Sequence, residues 1–270
     1  MSILLLLLAG LLMPAWAQTA APPANAPFYT ADSIVNSAAD IPNWFSPNTF
    51  VAIFGTNLAY TSVGLTGSDI ATGVLPTILP GTNVRVLVNG LAAYPYYVSP
   101  TFVNALLPVG LSPGPATLQL EVNGIAGPAV TINLSGVAPV VVTQDEVTPL
   151  GETTVFAVRP NGSPVTTTAP AMPGETIYIF ATGLGQTNPP QIEAQNPLYP
   201  AQIANLSGFS VLMNGTPLDP RLVSYVGILP GDAGCYGVIV TLPNPLPHDP
   251  EIRVAVGGSS SPAQRFLDTQ

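Results

Sequence analysis

The sequence has 270 residues, of which 47% are hydrophobic, 25 are glycine and 32 are proline. Only 7% are charged: lysine is absent, and five arginines stand against 14 acidic residues, which gives a formal net charge of −9. Five scattered arginines cannot neutralise a phosphate backbone, so nucleic acid is excluded as a partner. The apolar content argues against disorder, and the scarcity of charge argues against long amphipathic helices. A β-rich, turn-dense, acidic protein remains.

Residues 1–17 are predicted to be a signal peptide. Residues 3–13 form an apolar run that is too short to span a bilayer, and Ala15-Trp16-Ala17 places small residues where a signal peptidase reads. We expect cleavage between Ala17 and Gln18, followed by a flexible Pro/Ala-rich leader over residues 18–27. The alternative, a buried strand or helix of the fold, stays open. No later apolar stretch approaches the length of a membrane span, so the exported chain is not expected to cross a membrane.

Short runs with alternating apolar residues follow, and Asn-Gly pairs end several of them. The pairs at 89–90, 123–124 and 214–215 each come directly after such a run, and the pair at 161–162 follows a further one closely. An Asn-Gly pair after an alternating run predicts a β-hairpin, because both turn residues need a positive φ. These runs therefore predict antiparallel strands.

The strand pattern occurs twice along the chain. Residues 47–58 align with residues 173–184, and the Asn-Gly hairpins at 89 and 214 follow in the same relative place. Short strands with turn signals at this spacing are typical of immunoglobulin-like β-sandwiches. We therefore predict an all-β protein of two tandem sandwich domains, residues 28–136 and 137–270. Because their linker is short, the two domains should meet with limited freedom.

The second half of the sequence resembles an uncharacterised C-terminal domain family that is abundant in secreted proteins of Solibacter and other acidobacteria. The resemblance lies in Pro173-Gly174-Glu175, in residues 180–189 (FATGLGQTNP) and in the glycine-rich segment that ends in Gly234-Cys235-Tyr236-Gly237-Val238. Residues 53–58 (IFGTNL) carry the matching signature in the first half. The resemblance implies IPT/TIG-type immunoglobulin-like domains and a secreted, periplasmic or surface protein of a bacterium. It implies no catalytic residues.

Catalytic chemistry has little support in the sequence. His248 is the only histidine, and a neighbouring Asp249 on a proline-bounded turn does not make a triad. One histidine and one cysteine, Cys235, cannot form a zinc site, so no metal and no cofactor is expected. Cys235 is interpreted as a buried apolar residue, with pairing to a second chain as the alternative. Two carboxylate sets stay conceivable for glycoside hydrolysis: Asp145-Glu146 with Glu152, and Asp232 with Asp249.

Aromatic residues give the candidate contact site. Tyr94 and Tyr96 are predicted to share one face of a strand and Tyr97 the other; the family resemblance implies that Tyr97 faces inward and leaves Tyr94 and Tyr96 outward. Trp44-Phe45 adds an aromatic corner. Exposed Tyr and Trp side chains stack on sugars or anchor protein partners. The alternative interpretation is that these rings close the end of a sandwich.

The sequence therefore favours a non-enzymatic exported module that acts in adhesion or in recognition of an extracellular glycan or surface protein. Self-association into a surface or fibre subunit is the second hypothesis, because low charge leaves strand edges open to pairing. A carboxylate-based polysaccharide hydrolase is the third.

Overall fold

The computed structural model describes residues 23–38, 40–147 and 153–270, without the side chains of residues 145–147. The predicted signal peptide, its cleavage site between Ala17 and Gln18, and leader residues 18–22 lie outside the described residues.

The described chain forms two tandem immunoglobulin-like β-sandwiches, so the predicted all-β fold is confirmed. The strands of the first sandwich are β1 (Ile34–Asn36), β2 (Ile41–Pro42), β3 (Phe50–Phe54), β4 (Val63–Gly64), β5 (Val84–Val88), β6 (Leu91–Ala92), β7 (Tyr94–Val98), β8 (Phe102–Leu106), β9 (Gly114–Val122), β10 (Ile125–Ala126) and β11 (Val130–Leu134). One sheet has the order β2-β1-β3-β8-β7-β4; the other has the order β10-β9-β5-β6, with β11 also on β9.

The second sandwich repeats this plan. Its strands are β12 (Val140–Val141), β13 (Thr143–Val147), β14 (Thr153–Val155), β15 (Ala157–Val158), β16 (Thr176–Thr182), β17 (Thr187–Asn188), β18 (Ala201–Ile203), β19 (Phe209–Met213), β20 (Thr216–Pro217), β21 (Val223–Ile228), β22 (Tyr236–Thr241), β23 (Ile252–Val256), β24 (Ser259–Ser260) and β25 (Arg265–Phe266). One sheet has the order β12-β16-β22-β21-β18-β17, with β15 also on β16; another has the order β20-β19-β23-β24. A small sheet, β13-β14-β25, lies beside them.

Helical structure in the described residues is confined to single 3₁₀ turns, Ala31–Ser33, Leu206–Gly208 and Pro220–Leu222. Among these residues, no helix has the length and apolar character needed to cross a bilayer.

Each sandwich has its own hydrophobic core. Every second residue of a strand points inward and contributes to this core. In β5, Val84, Val86 and Val88 are buried while Arg85 points to solvent. The core of the first sandwich runs from Tyr29 to Leu134, and that of the second from Val141 to Leu267. Period-2 patterning therefore decides which face of each strand is buried.

The aligned segments occupy equivalent places in the two sandwiches. Strands β3 and β16 each pair with the strand that precedes a Leu-Pro, β8 and β22 respectively. Just after them, Asn57 and Gly183 both adopt a left-handed backbone, with φ of 57° and 71°. The leucines that follow, Leu58 and Leu184, are both buried.

The linker between the two domains, the segment that contains Ser135, Ala138 and Pro139, is hydrogen-bonded to both sandwiches. The Ser135 N–H donates to the Phe45 carbonyl at 2.8 Å, and the Ala138 N–H donates to the Gly183 carbonyl at 2.9 Å. A Cβ at Gly183 would overlap the Ala138 carbonyl oxygen. Position 183 therefore requires glycine, because the linker backbone lies against it and leaves no room for a side chain.

Candidate functional site

Trp44 and Phe45 do not form an exposed corner. The Trp44 side chain is half-buried, and its Nε1–H donates to the Pro139 carbonyl in the linker at 2.9 Å. The Phe45 ring is 1% exposed and belongs to the core of the first sandwich. Both residues are therefore engaged within the molecule.

The inward orientation predicted for Tyr97 is wrong: Tyr97 is 38% exposed. Tyr94 and Tyr96 do lie outside the core of the first sandwich, as predicted, but Tyr94 is only 5% exposed and Tyr96 is half-buried, because the second domain covers them. A β-bulge accounts for Tyr97: Pro95 pairs with Ala105, and Tyr97 pairs with Asn104, so Tyr96 is an extra residue in the strand. An extra residue shifts the alternation by one position. Tyr97 therefore points to the outer face of its sheet.

Tyr94 and Tyr96 pack in a small apolar cluster where the two sandwiches meet. Tyr94, Leu75 and Leu106 of the first sandwich surround Ala233 of the second, and Phe50 and Tyr96 pack against them. The rings of Phe50 and Tyr96 meet edge to face, with centroids 4.8 Å apart. Burial raises the pKa of Tyr96 to about 12. These tyrosines thus hold the domains together.

A cleft of about 580 Å³ opens beside this cluster, between the two sandwiches. Residues of both domains line it, with prolines and aliphatic side chains beside amides, a carboxylate and a phenol. The lining residues are Pro47, Asn48, Val109, Gly110, Leu111, Pro113, Gly136, Gly185, Gln186, Thr187, Pro190, Gln191, Glu193 and Tyr236.

Hydrogen bonds across the domain boundary fix the polar groups of this interdomain cleft. One carboxylate oxygen of Glu193 accepts from the Tyr94 hydroxyl at 2.5 Å, and the other accepts from the Gly110 N–H at 2.8 Å. The Asn48 amide, 5% exposed, donates to Gln191 Oε1 at 2.9 Å. Such bonds hold the cleft in one shape.

Tyr236 forms the buried end of the cleft. Its hydroxyl donates to the Gly185 carbonyl. Burial raises the pKa of this hydroxyl to about 12, although hydrogen bonds with Asn48 and Gln191 act in the opposite direction. The phenol is therefore neutral at physiological pH and acts as a hydrogen-bonding group.

A second candidate surface is a row of three rings on the outer face of the first sandwich, Phe54, Phe102 and Tyr97, here called the aromatic row. Phe54 and Phe102 are paired across β3 and β8, with centroids 5.1 Å apart, and Tyr97 of β7 lies 5.8 Å from Phe102. Phe54 is 44% exposed. Strands β3, β7 and β8 contain no charged residue.

None of these three rings is among the predicted contact residues: Tyr97 was expected to face inward, and Phe54 and Phe102 were not singled out. Phe54 ends the run Phe50–Phe54, whose Val51 and Ile53 are buried, so its outward position could have been read from the alternation. Its pairing with Phe102 depends on the register between β3 and β8, for which the sequence carries no local signal.

The other chemically notable residues do not assemble into a catalytic site. His248 is exposed, with Nδ1 at 3.1 Å from Asp249 Oδ2, while Asp249 Oδ1 accepts from the Thr269 N–H. Burial raises the pKa of the half-buried Cys235 thiol to about 12, and the charge of Asp232 raises it further. In the part of the chain that the structure describes, no three His, Cys, Asp or Glu side chains converge as a metal site would require.

Glycoside hydrolysis needs two facing carboxylates. Of the described residues that line the interdomain cleft, one is a carboxylate, Glu193. The side chains of Asp145, Glu146 and Glu152 lie outside the part of the chain that the structure describes.

No protein-family model and no curated protein matches this sequence. Among solved structures, the chain is similar to the Bacteroides ovatus protein SGBP-B of a mixed-linkage glucan utilization locus, in complex with a mixed-linkage heptasaccharide, at 12% identity and a TM-score of 0.35; the match covers 91% of this chain and 46% of that one. A surface glycan-binding protein of Prevotella bryantii matches at 12% identity and a TM-score of 0.28, over 89% and 42%. The Yersinia pseudotuberculosis adhesin InvE matches at 15% identity and a TM-score of 0.21, over 82% and 54%. The chain spans about half or less of these proteins, and at such TM-scores the likeness carries no argument about function.

Proposed function

We propose that this protein is a non-enzymatic, exported binding module that recognises neutral glycans through the aromatic row. The observation that carries the proposal is the position of Phe54, Phe102 and Tyr97 side by side on one sheet face, with Phe54 and Tyr97 exposed and Phe102 half-buried. Large exposed apolar side chains in a contiguous patch mark an interaction surface.

The chemistry of the row suits a sugar. A pyranose ring presents a face of C–H groups, which stack on the electron-rich face of an aromatic ring, and hydroxyls at its rim. The Tyr97 hydroxyl supplies a polar group beside the rings. The absence of charge on β3, β7 and β8 favours a neutral polymer over an anionic one.

The test is affinity electrophoresis of the purified chain in gels that contain neutral β-glucans or α-glucans, with an anionic polysaccharide for comparison. The double variant Phe54→Ala/Tyr97→Ala removes two stacking faces. Since 1.4 kcal/mol corresponds to a factor of ten, we expect affinity for the neutral polymer to fall about tenfold or more. The matched control is Tyr199→Ala, which removes a tyrosine that is 79% exposed on the second sandwich.

Two results would overturn the proposal. One is equal binding by the double variant and the native chain. The other is sedimentation data in which the native chain is dimeric and the double variant monomeric, since the row would then be covered by a second copy.

A further inference from the structure

We infer that the interdomain cleft is a second binding site, for a small neutral ligand that carries several hydroxyl groups, such as the end of an oligosaccharide. Its lining shares no residue with the aromatic row, so the inference stands or falls independently of the proposed function. A volume of about 580 Å³ lies within the range of ordinary ligand sites, and such sites occur preferentially at domain interfaces.

The cleft is preorganised for a ligand. Glu193 is held by one hydrogen bond on each oxygen, and Gln191 is held by Asn48, whose side chain is buried. All these bonds cross from one sandwich to the other. A ligand that enters the cleft therefore meets fixed polar groups and does not have to order them first, which lowers the entropic cost of binding.

The lining of the cleft presents hydrogen-bond donors and acceptors side by side. The Gln191 side chain uses its oxygen for Asn48 and one N–H for the Tyr236 hydroxyl, which leaves the second donor of its NH₂ group for a ligand. A carboxylate has about four lone-pair sites, and the described bonds to Glu193 use two of them. A hydroxyl group donates and accepts at once, so neighbouring hydroxyls match an amide donor next to a carboxylate acceptor.

The charge of the residues that line the cleft favours a neutral ligand. Among the described residues, those that line the cleft include one carboxylate and no arginine, so a phosphate or a carboxylate ligand would be repelled. Its apolar walls, Pro47, Pro113 and Leu111, match the C–H faces of a sugar ring. A neutral polyol with apolar faces fits both features.

The experiment uses the Phe54→Ala/Tyr97→Ala chain, so that the aromatic row contributes nothing. Cellobiose and maltose are the probes, glucuronic acid and glucosamine are the charged comparisons, and binding is followed by ligand-detected NMR and by the rise in Tm. We expect a neutral disaccharide to bind and to raise Tm, and we expect Gln191→Leu to weaken that binding at least tenfold. The same change four residues along the same loop, Gln195→Leu, lies outside the lining and should leave binding unchanged.

Four outcomes would overturn the inference: no binding of either disaccharide, unchanged binding by a folded Gln191→Leu chain, equal loss in the Gln195→Leu chain, or tighter binding of a charged sugar. Loss of polymer binding in the double variant, with disaccharide binding retained, would support both sites separately.

Discussion

At the scale of single residues, the left-handed backbone positions explain the repeated motifs. Gly183 has a φ of 71°, and the linker carbonyl of Ala138 lies where a side chain would begin. Gly162 also has a positive φ, 83°, but open space surrounds it. A substitution at Gly162 therefore incurs only the cost of an unfavourable backbone conformation, whereas one at Gly183 also incurs the cost of steric overlap.

Gly183→Ala should reduce the free energy of unfolding more than Gly162→Ala does. Both variants place an L-residue at positive φ, which costs roughly 1–2 kcal/mol. Overlap with the linker should add about 1–3 kcal/mol in Gly183→Ala alone. Urea unfolding of both variants measures the difference, and equal losses would contradict this account of the motif.

At the scale of elements, the arginine at the end of β15 organises a segment that has little strand pairing of its own. Arg159 Nε lies 2.6 Å from Glu175 Oε1, and its terminal nitrogens donate to the carbonyls of Pro164, Ala169 and Pro170. The planar guanidinium fork reaches all these acceptors at once, which a lysine ammonium cannot do. The segment 159–170 is thus closed by one side chain.

Arg159→Lys should lower the free energy of unfolding by about 1–3 kcal/mol, because it keeps the charge but leaves carbonyls without a donor. Arg221→Lys is the matched control: Arg221 is exposed and its side chain pairs with Asp219, so the change should stay within about 0.5 kcal/mol. Thermal and urea unfolding of both variants measures the difference between the two losses of stability. Equal effects would mean that charge alone matters at position 159.

The strands and hairpins could be predicted from the sequence because alternation and Asn-Gly turns are local signals. Asn89, Asn123 and Asn214 do adopt positive φ at their turns. The candidate sites depend on non-local features. The bulge at Tyr96 turns Tyr97 outward, and the second domain covers Tyr94. The interdomain cleft joins segments near residues 48, 110 and 190, whose proximity follows from domain packing that a single sequence does not reveal.

At the scale of the whole molecule, tyrosines lie at the points where elements and domains are joined. Tyr29 ties the N-terminal segment to β9 by accepting from the Leu120 N–H at 2.6 Å and donating to the Pro128 carbonyl at 2.7 Å. Burial raises the pKa of Tyr29, Tyr96 and Tyr236 to about 12. For Tyr94, burial and Glu193 raise the pKa as well.

The tyrosines should therefore make stability fall between pH 10 and about 12, and Cys235, whose pKa is raised from 9.0 to about 12, should extend the fall down to about pH 9. A tyrosine whose folded pKa lies above its ordinary value of 10.0 favours the folded state while it is protonated. That contribution is lost as the pH rises through the folded pKa. Urea unfolding over this range, with tyrosinate absorbance, measures the loss, and Tyr96→Phe should reduce it. A fall in stability that is complete below pH 10 would contradict the prediction.

The linker has a further consequence for how this protein would work on a surface. Because the Ser135 and Ala138 amides are bonded to opposite sandwiches, and Glu193 bridges the same boundary, these hydrogen bonds hold the two domains in one relative orientation. The direction in which the aromatic row faces is then set by whatever holds the second sandwich. A fixed domain orientation has a collective effect: many copies attached in the same way would present their rings in parallel, and neighbouring copies that never touch one another would bind one long polymer along its length.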